Sequence, residues 1–306
     1  MKELKTVFYI KVGNMKFTKM HGCGNDYVYV DCTKEMISEP SQVSMFVSDR
    51  HFGIGSDGLI LIAPSETADF RMIMFNADGS EGEMCGNGIR CVGKYVYDHK
   101  LTQKEVLKIE TKAGIKTLNL HVKDGRVETV RVDMGAAEFD CRKIPVTYPE
   151  NNMINEPLEV GGKIYNATCV SVGNPHCVVV IDEDVNKLNL PEIGPKFENN
   201  PLFPNRINTE FINVIDKQHL KMRVWERGSG ETLACGTGAC ASAVSCFTNG
   251  FIDSKVDIEL LGGHLTVEYD KDNNQIYLTG PATEVFSGEI TFPKDFEKDD
   301  VKIYTC

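Results

Sequence analysis

Two short stretches of this chain, Cys85-Gly86-Asn87-Gly88 and Cys235-Gly236-Thr237-Gly238, each set a thiol and two glycines directly before a segment with helical periodicity. A thiol placed there lies beside the free N–H groups and the positive end of the helix dipole, an environment that lowers a cysteine pKa from about 8.5. The glycines let a ligand approach the backbone, and the same N–H groups can hold a carboxylate. One such site would fit a nucleophile or a redox thiol. Two of them across a shared cleft fit acid/base groups on opposite faces of one carbon, one removing a proton and the other delivering one, which inverts a stereocentre. That is racemase or epimerase chemistry. The carbanion formed next to a carboxylate spreads charge onto oxygens that both helix N-termini would stabilise.

The two stretches belong to a longer repeat. Asn76-Ala-Asp-Gly-Ser-Glu-Gly-Glu-Met-Cys85-Gly-Asn-Gly overlies Glu226-Arg-Gly-Ser-Gly-Glu-Thr-Leu-Ala-Cys235-Gly-Thr-Gly without a gap at an offset of 150, pairing Glu81 with Glu231. Gly24-Asn25 meets Gly173-Asn174 at an offset of 149, and Ala113-Gly114 meets Gly262-Gly263 at the same offset. Three anchors in one order at a nearly constant spacing predict two copies of one α/β domain. The length of 306 residues, at about 150 residues per domain, agrees. The expected units are 15–140 with Cys85 and 160–292 with Cys235. An extension covers 1–14, and a linker covers 141–159, where Pro145, Pro149, Pro157 and several Asn break all periodicity.

The elements that must position the thiols can be read from period and punctuation. Residues 17–31 read as strand, Gly-rich turn and strand, residues 42–48 as a short helix, and 58–62 and 70–75 as apolar strands. Ile89, Val92, Gly93, Val96 and Tyr97 recur at helical spacing within a helix expected over 85–101. A hairpin over 115–132 turns at Asp124-Gly125. In the second half, strands are expected around Gly173-Asn174-Pro175-His176 and over 210–215 and 221–225. A helix through Ala239, Cys240, Ala243, Val244 and Phe247 stops at Asn249-Gly250, and a hairpin turns through Asp272-Asn273-Asn274.

Against a catalytic reading of Cys85 and Cys235 stands the usual state of a free cysteine, a small buried residue. Neither thiol lies in an apolar run, and both precede glycine; the other nine cysteines fit the blander reading. His176 and Glu226 are candidates to assist the thiols as proton acceptors or orienters. Asn25, Asn76, Asn174 and Asn208 fall at turns, where turn chemistry alone would account for them. Trp225, the only tryptophan, reads as a packing anchor. No cofactor is expected: Gly22-Cys23-Gly24 lacks the third glycine of a dinucleotide fingerprint, and Gly88-x4-Gly93-Lys94 continues with Tyr95 where a phosphate loop has Ser or Thr. No metal is expected either, since there is no C-x-x-C and no suitably spaced His pair.

Average composition excludes disordered and fibrous classes, and a net charge of −11 argues against nucleic acid or anionic lipid as a partner. The partner expected is a small amino-acid substrate, with a homodimer left open. No apolar run approaches the roughly 18 residues of a membrane helix, and no secretory cleavage site is visible, so a cytoplasmic address and reduced thiols are expected.

The segments MHGCGNDYVYVD, DRHFGIGSDGLILI, MFNADGSEGEMCGNGIRC, SVGNPHCV, NRINTEF and RVWERGSGETLACGTGACASA, spread from Met15 to about Ile290, resemble the diaminopimelate epimerase family. The resemblance implies a cofactor-independent enzyme interconverting L,L- and meso-diaminopimelate in lysine and peptidoglycan-precursor biosynthesis. It also implies two mirrored α/β (α+β) domains, each a mixed sheet wrapped around a central helix, with the active site in the interdomain cleft. The family's catalytic thiols fall on Cys85 and Cys235. Its backbone donors to the reacting carboxylate fall on Gly86, Asn87, Gly236 and Thr237, and its binding asparagines on Asn25, Asn76, Asn174 and Asn208. Glu226, Arg227 and His176 match the remaining site positions, and a guanidinium suits a second carboxylate. Where many members carry Gln, this chain has Gly58. Alternatives are a racemase of another amino acid on the same fold and, from a different class, a thiol redox protein or an amino-acid-binding module. Proline-type racemases carry His where this chain has Asn87.

Overall fold

The computed structural model describes residues 9–10, 14–293 and 296. Among the described residues four α-helices, α1 (Pro40–Ser48), α2 (Gly86–Asp98), α3 (Leu190–Glu198) and α4 (Gly236–Thr248), stand among strands that follow one order in each half. In the first half, neighbouring strands run 283–291, 14–22, 25–31, 58–63, 70–76, 106–111, 114–123 and 126–135. In the second they run 156–160, 163–171, 175–180, 208–214, 219–226, 255–260, 263–270 and 275–281. Both orders place their parallel pairings at the same two steps, 25–31 on 58–63 and 70–76 on 106–111 in one half, 175–180 on 208–214 and 219–226 on 255–260 in the other.

Register repeats as well as order. Leu59 faces Phe75 as Thr209 faces Trp225, and Phe70 faces Ile109 as Leu220 faces Ile258. A slip of one residue would turn every inward side chain outward, so matching registers mean matching cores. The halves join where 126–135 pairs antiparallel with 275–281.

Each sheet wraps its own helix. On α2, Ile89, Cys91, Val92 and Val96 are wholly buried, in line with the expected apolar stripe. On α4, Ala239, Cys240, Ala241, Ala243, Val244 and Cys246 are buried around nearly the whole circumference, the pattern of a helix enclosed on all sides. The Asp124-Gly125 turn takes φ 51° and 75°, the left-handed pair that a two-residue hairpin loop needs.

Three expectations need correction. Residues 141–159 are not a free linker: Cys141, Ile144, Val146, Met153 and Leu158 are buried in a core with Phe197 and Phe211, and 156–160 forms a strand. Proline and asparagine there mark turns, while the apolar residues between them anchor the segment. The unit expected over 160–292 gives its last strand, Thr283–Thr291, to the first half, where it pairs with Asn14–Gly22. Local pattern cannot say which sheet edge a strand joins. The sequence reading also has no helix at α3; Pro191 occupies its first turn, where its missing N–H has no intrahelical role. Of the expected extension, Tyr9–Ile10 pairs in parallel with Met36–Ile37, and residues 1–8 and 11–13 lie outside the described residues.

Candidate active site

The N-termini of α2 and α4 meet at the junction of the halves. Cys85 and Cys235 are their N-caps, and each sulfur accepts the N–H of the glycine three residues on, Gly88 or Gly238, at 3.3 Å. A side chain at Gly236 would begin 3.7 Å from the Gly86 Cα, so the two helix starts nearly touch. Two positive dipole ends and their free N–H groups converge there, an arrangement that favours an anion such as a carboxylate. Beside them opens a cleft of about 1620 Å³ lined by Asn25, Asn76, Asn174, Glu226 and Arg227 together with the first residues of both helices.

Cys85 is half-buried, and its thiol donates to Asn25 Oδ1 at 3.1 Å. Asn25 is fixed in turn by donating to Asp57 Oδ2 at 2.7 Å, and Arg50 bridges Asp57 and Asp26 at 2.9 and 2.8 Å. Asn87 spans the junction, donating to Ala234 O at 3.2 Å while its own Oδ1 accepts from Arg90 at 2.9 Å. Arg90 is wholly buried and also donates to Gly86 O at 3.0 Å, which ties the first turn of α2 to a cation. Asn76 donates to Ser80 Oγ at 3.0 Å.

Cys235 is 6% exposed and lies 3.5 Å from Thr237 Oγ1. Glu226 accepts from Thr232 Oγ1 at 2.5 Å and sits close enough for its charge to act on the Cys235 sulfur. Two expected site residues are behind the cleft wall rather than on it. His176 is 0% exposed, its Nδ1 2.7 Å from Glu210 Oε1 and its Nε2 2.9 Å from Asn174 Oδ1. Asn208, 3% exposed, donates to Pro175 O at 3.0 Å and accepts the Arg227 N–H at 2.9 Å. Both residues sit at inward strand positions that turn signals alone do not reveal.

The helix-start N–H groups pull the thiols down as expected, but burial outweighs them and the net shift is upward. Burial pushes Cys85 up, and the N–H groups of Gly88 and Asn87, the Arg90 charge and the Tyr27 hydroxyl pull it only part of the way back. Burial pushes Cys235 well up, and the charges of Glu226 and Glu210 add to it. Desolvation outweighs the dipole because it penalises the whole thiolate charge, whereas the helix end offers a fraction of one. Glu226 is itself raised by burial.

Asp57, Tyr27, Arg90 and Glu210 were missed as site residues. A signal existed for Glu210: it is a charge at the strand position where, at the offset of 150, the first half has Ile60. The ten described cysteines are all free, and Cys306 lies outside the described residues. Among the described residues no group of three or more His, Cys, Asp or Glu is placed to hold a metal ion, and no helix is long and apolar enough to cross a membrane.

The family model for diaminopimelate epimerase matches residues 17–139 and 168–285. A diaminopimelate epimerase of Acetivibrio thermocellus is 57% identical over 276 residues, covering 90% of this chain and 98% of its own length. One from Methanococcus maripaludis is 55% identical over 276 residues, covering 90% and 99%. Among solved structures, a phenazine biosynthesis protein of the PhzF family from Bacillus anthracis superposes with a TM-score of 0.65 at 20% identity, over 92% of this chain and 100% of that one. A probable proline racemase from Agrobacterium radiobacter gives a TM-score of 0.68 at 13% identity, over 93% and 94%. At those identities the two structures speak for the fold alone.

Proposed function

The chain belongs to the diaminopimelate epimerase family, and we propose that it interconverts L,L- and meso-diaminopimelate by moving a proton at the α-carbon between Cys85 and Cys235. The observation that carries this reading is the meeting of two thiol-capped helix N-termini in one cleft. A substrate carboxylate held by the backbone of Gly86, Asn87, Gly236 and Thr237 would set its α-carbon between the sulfurs. One sulfur, as thiolate, takes the α-hydrogen and becomes a thiol; the carbanion's charge spreads onto the carboxylate oxygens; the other thiol gives its proton to the opposite face and becomes the thiolate. The reverse reaction exchanges their roles, and no redox partner or cofactor enters the balance. Glu226 is placed to exchange a proton with Cys235, and Arg227 with Asn25, Asn76 and Asn174 to receive the distal amino-acid end. Asn208 acts by holding the Arg227 backbone. A cytoplasmic location and a role in supplying lysine and peptidoglycan precursors belong to the same reading.

The test is incubation of the purified chain with L,L-diaminopimelate in deuterated buffer with no added cofactor, followed by chiral chromatography and mass spectrometry. The expected product is meso-diaminopimelate carrying deuterium at the inverted carbon. Product that keeps its original hydrogen would rule out exchange through thiols, and turnover of a different amino acid instead would overturn the substrate assignment.

A further inference from the structure

The repeated register allows each buried group of one half to be compared with its counterpart in the other. Ile60 and Glu210 occupy equivalent places, and both are wholly buried. A methyl group added at Gly88 would meet Ile60 Cδ1 at 2.7 Å. One added at Gly238 would meet Glu210 Oε1 at 2.7 Å and the Cys235 sulfur at 3.3 Å. The carboxylate thus reaches the first turn of α4 through space that only a glycine leaves open, next to the thiol.

Its surroundings are unusual for an acid. Oε1 contacts His176 Nδ1, and Oε2 is buried without a hydrogen-bond partner. His176 stands where the first half has Tyr27. Its ring is held between Glu210 on the Nδ1 side and Asn174 on the Nε2 side, which fixes the imidazole plane. Asn174, on the far side of the ring, lines the cleft. The titratable groups around Glu210 are His176 on its own strand pair, Glu226 at the end of 219–226, Cys235 at the start of α4, and Cys177.

We propose that Glu210 is a positioning residue of the second thiol site, holding the His176 ring that in turn orients Asn174 in the cleft, a device the first site lacks. The inference rests on the epimerase reading for its kinetic consequence and on geometry alone for the placement of the ring. Burying a carboxyl group with one oxygen unpaired is costly, and a ring nitrogen fixed against the other oxygen lowers that cost.

The experiment compares the full chain with Glu210→Gln, Glu210→Asp and Glu210→Ile, the last copying the first half. With diaminopimelate as substrate, Glu210→Gln is expected to lower kcat roughly 10- to 100-fold, the rate equivalent of losing one hydrogen bond to an ionisable group, with KM within about threefold. Glu210→Asp, which keeps the charge, should recover part of kcat, and Glu210→Ile none. Ring-nitrogen NMR on histidine-labelled protein should show the His176 Nδ1 hydrogen-bonded to a carboxyl group in the wild type, and that signal shifted in Glu210→Gln. Wild-type kcat in Glu210→Gln, or Glu210→Asp no better than Glu210→Ile, would overturn the proposal. So would a His176 Nδ1 with no hydrogen bond in the wild type, a reading that holds even if the variants fail to fold. Absence of diaminopimelate turnover by the wild type would instead defeat the functional reading and leave the ring-nitrogen result to judge Glu210.

Discussion

Cys85 and Cys235 cap equivalent helices and accept equivalent N–H groups at the same 3.3 Å, but their second neighbours differ in sign. Around Cys85 stand the Asn25 carbonyl, the Tyr27 hydroxyl and the Arg90 cation; around Cys235 stand the carboxyl groups of Glu226 and Glu210. Both thiols are raised by burial, and Cys235 the more strongly. Duplication therefore supplied the backbone symmetry, and divergence at a few inward positions removed the electrostatic symmetry. A two-base reaction needs one thiolate and one thiol at the same moment, and the unequal surroundings make Cys85 the easier of the two to ionise.

The comparison can be broken most decisively at the sulfurs. Cys85→Ala and Cys235→Ala are each expected to reduce epimerisation by on the order of 10³-fold or more, read by chiral chromatography; activity within about tenfold of wild type in either would end the two-thiol scheme. Next is the order of alkylation. Below both raised pKa values each thiolate fraction grows about tenfold per pH unit, and the less raised thiol stays ahead. Near pH 8, peptide mass spectrometry should find iodoacetamide on Cys85 faster than on Cys235, in line also with their exposures. The opposite order would mean that the carboxyl groups do not govern Cys235.

A smaller effect tests how firmly Glu210 is held. Overpacking a core costs about 1–3 kcal/mol. Gly88→Ala presses on the free end of Ile60, and Gly238→Ala presses on an oxygen pinned by His176, so the second should lose about 1 kcal/mol more in urea unfolding. Equal losses would mean that Glu210 moves freely. The smallest change is Tyr27→Phe, which removes a hydroxyl favouring the Cys85 thiolate; a loss of about 1 kcal/mol, a few-fold in kcat, is expected, and an unchanged rate would remove Tyr27 from the site.

Much of this was legible in the chain. The offset of 150 located both thiols and both helix starts, because a Cys-Gly-x-Gly cap before an apolar stripe is a local signal. Asn25, Asn76, Asn174, Glu226 and Arg227, carried over from the family resemblance, all line the cleft. His176 and Asn208 were picked out, but their burial behind the cleft wall was not legible, and the strand 283–291 was assigned to the wrong half, since edge pairing depends on contacts hundreds of residues apart. The direction of the thiol pKa shifts was also misjudged, because a dipole can be read from a helix start whereas depth of burial cannot.

Sequence alone singled out two candidate thiols and showed that they come as a pair, since residue type, spacing and repetition are properties of the chain. Only the tertiary structure decided how alike the two candidates are. Solvation and the sign of nearby charge depend on groups such as Arg90, Glu210 and Tyr27 that reach each sulfur through space, and a one-dimensional offset aligns positions without saying what electric field they share.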